Sequence, residues 1–294
     1  MANALNAAPA ALAQEVISGL VGQLPLINAF STNLTGSFTR GKSVTVNIVG
    51  GDAAIEYGST GYHEAQDADL TAKTVTLKHL HSTKAFAPLD LAEFGEQYIV
   101  SAFTQNAIEE LAAKCHQELA AIVTSSNYSA VATVTAANFN YGAAVDLNTD
   151  LSTAKASRTR SLILNPSYAG ALRKDATLVQ PFTSGGQSGS LVATGAIGTV
   201  AGMNVYEFSD LPGLSQNLTG WACGRDAIVV ASALPSPDMY VGEVDNAVDP
   251  SGLAVQVLKS KGTDGFLRLT ATLLFGAAVG RATSLKRIRS GAPA

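Results

Sequence analysis

Apolar and polar positions first alternate over residues 43–49, where Val44, Val46 and Ile48 are interleaved with Thr45 and Asn47. A period of two places the apolar set on one face of a strand. The same period returns over 73–80, with Val75 and Leu77 on one face and Thr76 and Lys78 on the other. Residues 50–72 between them are polar and carry turn signals at Gly50-Gly51, Gly58 and Gly61. A structureless connection of that length is uncommon inside a compact domain, so the pattern predicts a long hairpin projecting from the body.

The period then changes to that of a helix. Leu91, Phe94 and Tyr98 open an apolar stripe that Phe103, Ala107, Leu111, Cys115, Leu119 and Ile122 continue, with Glu109, Glu110, Lys114, Gln117 and Glu118 off it. Asp90 and Glu93 form a capping signal just after Pro88, which predicts one helix from 90 to about 125, roughly 50 Å long. A second helix is expected over 138–156 on the stripe Ala143, Leu147, Leu151, Ala154. A buried strand, 161–164, runs into Asn165-Pro166, where Asn can cap and Pro can open a helix over 167–173. After a flexible Ser/Gly stretch at 183–190, glycines 195, 198 and 202 punctuate a short strand pair. Strands are expected at 220–223, 253–259 and 267–275, and a short helix near 226–233. Residues 1–35 contain no Lys or Arg and show only a weak helical stripe, Leu12, Val16, Ile17, Leu20. They read as an arm with little core of its own. The order of elements is that of an α+β protein.

Composition changes the picture in one respect. Of 294 residues 47% are hydrophobic and only 14% charged, against about 25% charged in an ordinary soluble domain, so much of the surface is expected to meet protein. The 19 Lys+Arg and 23 Asp+Glu give a formal charge of -4, which excludes nucleic-acid affinity through overall positive charge. Apolar stretches such as 269–279 fall short of a bilayer span. The first residues lack the basic start and continuous apolar stretch of a secretory signal, so Cys115 and Cys223 are expected as free thiols and the sequons at Asn33, Asn127 and Asn217 carry little meaning.

The chemical motifs fail their structural tests. Gly36, Gly41, Lys42 and Ser43 match a phosphate-binding loop letter for letter, but that chemistry needs a helix after the glycines, and a strand pattern follows. His63, His79 and His81 lack a cysteine to complete a metal set, and Glu64 and Asp67 sit in a loop, so a metal site is not expected. Cys115 and His116 are adjacent on a helix and point in different directions. Gly186-Gln187-Ser188-Gly189 falls one residue short of a nucleophile elbow. No catalytic residue, cofactor or metal is expected.

The assembled order resembles the major capsid proteins of tailed double-stranded DNA bacteriophages, the Hong Kong-phage-type coat fold shared with encapsulins. Gly41-Lys42-Ser43-Val44-Thr45-Val46 resembles the opening of that family's extended loop. Leu162-Ile163-Leu164-Asn165-Pro166-Ser167-Tyr168 with Leu172 resembles its strand-to-helix step. Gly195 to Gly198, Gly202 to Tyr206 and Leu211-Pro212 are similar to its glycine-punctuated segment, and 275–279 to its closing strand. The resemblance covers nearly the whole chain after about residue 36.

It implies an N-terminal arm (1–35), an extended loop (36–85), a peripheral domain with the spine helix (86–135), an axial domain (136–260), and a return strand with C-terminal tail (261–294). It implies a structural protein, not an enzyme, whose hexamers and pentamers form an icosahedral shell around phage DNA in the virion, assembled in the host cytoplasm. A separate scaffolding protein, a portal and a cement protein are the implied partners, with no membrane. The loop tip, about 53–66, contains no lysine, so the covalent crosslink of some relatives is not expected. Glu56, Tyr57, Tyr62 and His63 at that tip are candidate subunit contacts. Lys286, Arg287 and Arg289, after the last strand, are candidates to face DNA. The alternatives are an encapsulin-like compartment around an enzyme cargo and a soluble α+β enzyme.

Overall fold

The computed structural model describes residues 9–24, 31–32, 43–49, 70–87, 89, 93, 96–179, 197–209, 211, 217–235, 243–250, 252–262 and 264–291. In chain order, helix α1 (Pro9–Gln23) and strand β1 (Ser31–Thr32) precede the hairpin β2 (Ser43–Val49) and β3 (Leu70–Thr76). Then come β4 (Lys78–Phe86) and the long helix α2 (Glu96–Ile122). The middle of the chain forms β5 (Val131–Thr133), α3 (Tyr141–Thr153), β6 (Arg160–Leu164), α4 (Pro166–Arg173), α5 (Ala176–Val179), β7 (Thr199–Val200) and β8 (Met203–Glu207). It closes with β9 (Leu218–Gly224), β10 (Ile228–Ala233), β11 (Glu243–Val248), β12 (Ala254–Lys261), β13 (Leu267–Val279) and β14 (Leu285–Arg289).

These strands make two six-stranded sheets and one two-stranded ribbon. The first sheet runs β1-β10-β13-β12-β11, with β4 also paired to β13; the second runs β5-β14-β9-β6-β8-β7; the ribbon is β2-β3. β13 carries three antiparallel partners: β12 along 267–272, β10 along 274–279 and β4 along 267–275.

The expected long helix is present over Glu96–Ile122, and its stripe from Phe103 to Leu119 lies where the period put it; Asp90, Leu91 and Phe94 of the expected start lie outside the described residues. Phe103, Ala107, Leu111, Cys115 and Leu119 are buried against alternate residues of β13, Leu269, Ala271, Leu273 and Phe275, in one core. Over 27 residues α2 spans about 40 Å. Polar groups fix its register on β4: the Ser82 hydroxyl donates to Glu110 at 2.5 Å, Lys84 to the same carboxylate at 3.0 Å, and Lys78 lies 2.6 Å from Glu118. Such exposed pairs contribute about 0–1 kcal/mol each, so they set alignment more than stability.

The amino-terminal segment departs from expectation. α1 is no coreless arm: Leu12, Ala13, Val16, Ile17 and Leu20 are buried in the same core as α2 and β13. Gly19 permits the close approach, since a Cβ there would come within 2.3 Å of Ile108 Cδ1. The weak stripe was real; its weight comes from neighbours more than 80 positions away.

A second core lies under the other sheet, where Phe139, Leu147, Leu151, Leu162, Leu164, Tyr168, Leu172, Met203 and Ile288 pack together. Its helices start as their sequences dictate. The Asn140 side chain accepts the Ala143 N–H at 3.0 Å, and that of Asn165 accepts the Tyr168 N–H at 3.1 Å, with Pro166 opening α4. The β7–β8 turn is made by Ala201 (φ 49) and Gly202 (φ 78), the left-handed pair that matches strand twist.

Three other expectations are corrected. The helix expected near 226–233 is β10, every residue of which is buried; a continuous apolar run does not reveal its own period. The strand expected over 73–80 is two, broken at Leu77. The basic segment taken as a tail is β14, paired on both edges with β5 and β9.

At its root the hairpin is held by the body. Val75 and Leu77 pack with Val229, Ala231 and Ala233, and a Cβ at Gly276 would stand 2.3 Å from the Thr76 carbonyl oxygen. Gly276→Ala should therefore lower the urea midpoint, whereas Gly170→Ala, with open space at its Cβ, should not. Leu20→Ala should cost about 2–5 kcal/mol in the same assay. The Ser82 hydroxyl and then Lys84 hold the Glu110 carboxyl below its ordinary range. That contribution is present above the unfolded pKa and disappears as pH falls through the folded one. Glu110→Gln should flatten the acid limb of a stability–pH curve.

Candidate functional site

Nucleophilic chemistry has little to work with among the described residues. Cys115 and Cys223 are fully buried, and burial pushes both thiols up, out of the range where they ionise, so neither supplies a thiolate at neutral pH. His116 stands apart from Cys115 with its ring edge-on to Phe208 at 4.6 Å. Ser43 opens strand β2, so no helix N-terminus follows the phosphate-loop lookalike; Gly36, Gly41 and Lys42 lie outside the described residues. Among those residues no group of three His, Cys, Asp or Glu is placed to hold a metal, and no helix is long and apolar enough to cross a membrane.

The candidate contact residues Glu56, Tyr57, Tyr62 and His63 also lie outside the described residues. The basic trio is in β14. Lys286 pairs with Asp150 of α3. Arg287 is 3% exposed and donates its Nε–H to the Tyr128 carbonyl at 2.7 Å. Burial, and then the adjacent Arg289, lower the Arg287 pKa. The Arg289 Nε is buried without a hydrogen-bond partner. A β-bulge between Ile288 and Arg289 changes the direction of the strand there.

Two chain crossings join the sheets side by side. One links β9 to β10 through residues 225–227, the other links β13 to β14 through 280–284. The Gly280 N–H donates to the Ala227 carbonyl and the Arg281 N–H to the Asp226 carbonyl, both at 2.9 Å. Ser284 Oγ donates to Asp226 Oδ2 at 3.0 Å, Arg281 Nη1 donates to the Lys155 carbonyl at 3.0 Å, and Tyr128 OH donates to the Ala227 carbonyl at 2.7 Å. A Cβ at Gly280 would lie 2.4 Å from the Asp226 carbonyl oxygen, so the seam tolerates only glycine there. Sequence reasoning missed this seam. The available signal was a glycine, Gly224 and Gly280, ending each of two apolar strands.

The face of the first sheet turned away from α2 is covered at one end by the hairpin root and carries a groove elsewhere. Asn246, Gln256, Thr272 and His81 stand in register across β11, β12, β13 and β4, with Gln256 Nε2 donating to Asn246 Oδ1 at 3.0 Å. The next row is Val244, Leu258, Thr270 and Thr83, where the two threonine hydroxyls are 2.9 Å apart. A groove of about 330 Å³ runs over these rows and reaches His79, Glu243, Lys259 and Ser260. The groove is lined by hydroxyls, two histidines, the cross-strand pair Glu243 and Lys259, and the apolar Val244 and Leu258.

The family model for phage capsid protein matches residues 90–288. A comparison with curated proteins returns no match. Among solved structures the chain is similar to the capsid of cyanophage P-SCSP1u, at 14% identity and TM-score 0.59, covering 89% of this chain and 86% of that one. It is similar to a chain of Mycobacterium phage Che8, at 17% identity and TM-score 0.55, covering 85% of each. It is also similar to a virus-like particle from Pyrococcus furiosus, at 12% identity and TM-score 0.57, covering 95% of this chain and 98% of that one. At these identities the structures show the fold alone, which phage capsid and virus-like particle share. The family model, spanning α2, both sheets and the seam, decides between them: this chain belongs to the phage capsid protein family and is a structural protein of the capsid shell.

Proposed function

We propose that this protein forms, as hexamers and pentamers, the icosahedral shell enclosing phage double-stranded DNA, and that its role is wholly non-enzymatic. The observation carrying this reading is the β2–β3 ribbon, hydrogen-bonded to no third strand among the described residues. A two-stranded ribbon is marginal alone in water, and neighbouring copies are the natural cover for the length beyond its root. A heterologous contact of that kind closes into rings, which suits hexamers and pentamers.

Within the shell, Glu56, Tyr57, Tyr62 and His63 would belong to the contact between copies; of the basic trio, Arg287 is buried against the Tyr128 carbonyl and out of reach of DNA, which leaves Lys286 and Arg289 to face the genome. The first sheet with α2 would make the peripheral domain and the sheet β5-β14-β9-β6-β8-β7 the axial one, so the expected bounds 86–135 and 136–260 would shift: β10, β11 and β12 would join the peripheral part and β14 the axial part. Assembly would take place in the host cytoplasm around a separate scaffolding protein, with a portal and a cement protein added.

Recombinant protein viewed by electron microscopy and sized by light scattering tests the reading. It is expected to yield closed shells or ring-shaped capsomers; a monomer that never assembles, with or without scaffold, would overturn it. Particles from infected cells should absorb as nucleic acid, and a protein cargo in their place would favour the compartment alternative.

A further inference from the structure

Shell assembly does not account for the two histidines of β4. His79 and His81 are two apart on one strand and so share a face; both are exposed at the groove, their ring centroids 6.0 Å apart and inclined by 62°. Thr272 of β13 stands opposite His81 in the sheet and reaches His79. Its Oγ1 lies 3.0 Å from the Leu80 carbonyl and 2.5 Å from His79 Nε2. With its one proton given to the carbonyl, the hydroxyl accepts from the Nε2–H tautomer of His79, whose Nδ1 then carries a lone pair. A metal-ligating histidine is held in this way, its second nitrogen donating to a fixed oxygen that sets tautomer and ring orientation.

We propose that His79 and His81 form an open two-imidazole site for a divalent transition ion of borderline softness, Zn²⁺ or Ni²⁺, with water in the remaining coordination positions. Imidazole nitrogen is a preferred ligand for both ions. At a metal–nitrogen distance of about 2.0–2.1 Å, two rings on one ion stand slightly closer than these do, a difference that a side-chain rotation closes. The hydroxyls of Thr83, Thr270 and Ser260 line the groove and can hold coordinated water. Glu243 and Lys259 line it too, and their charges offset one another. Sequence alone left this pair as two surface histidines, because Thr272 comes from a strand 193 positions away.

Titration of Ni²⁺ or Zn²⁺ chloride into the purified protein at neutral pH, followed by calorimetry and equilibrium dialysis, tests the site. One ion per subunit is expected for the wild type and for His63→Ala. His79→Ala and His81→Ala should each lose at least tenfold in affinity, with unchanged circular dichroism, and Thr272→Val about tenfold. Binding should vanish at mildly acidic pH as protons compete for the rings. Absence of saturable binding at millimolar metal would overturn the proposal, as would undiminished binding by either alanine variant.

Discussion

Strand β13 is bonded along both edges, and most of the subunit depends on that double pairing. Of its partners, β12 is its hairpin neighbour, while β10 and β4 come from progressively earlier in the chain, so β4 has no place in the first sheet before the last quarter of the sequence is in place. β13 supplies Leu269, Ala271, Leu273 and Phe275 to the core beneath α2, the two leucines and the phenylalanine each worth about 1.5–3 kcal/mol relative to exposure. Gly276 on this strand also lets the hairpin root lie directly on the sheet. Backbone pairing, core packing and the anchorage of the outreaching ribbon thus converge on thirteen residues.

The two cores are separate in substance but tied in sequence. Leu285 belongs to the larger core and Ile288 to the smaller, although both lie on β14. The seam at Asp226 and Gly280 is where the chain passes twice between the sheets, and its polar groups are largely satisfied by one another. A shell subunit needs this kind of junction, because load taken on one sheet must reach the other without an exposed, breakable linker.

Sequence reasoning reached those features whose cause is local. Asn165 and Pro166 start α4 because cap and ring act within one turn; the α2 stripe repeats for many turns; Gly202 marks the β7–β8 turn because glycine takes its positive φ without strain. It failed where the cause is remote. The burial of α1 rests on α2 and the first sheet, so its short Ala- and Gly-containing stripe looked too weak to matter. β10 is apolar on every position and hides its period. β14 looked like a charged tail because the group that satisfies the buried Arg287 side chain is a carbonyl 159 residues away. The groove on the face turned away from α2 was invisible for the same reason: its rows are assembled by register across four strands.

The burial of the two cysteines has a use beyond packing. Both thiols lie in the larger core, one on α2 and one on β9, and both are shielded from solvent. A thiol-blocking reagent can therefore mark a subunit only during the intervals when that core opens. In an intact particle the accumulation of label would keep time for the wall itself, counting how often individual tiles come undone while the whole stays closed.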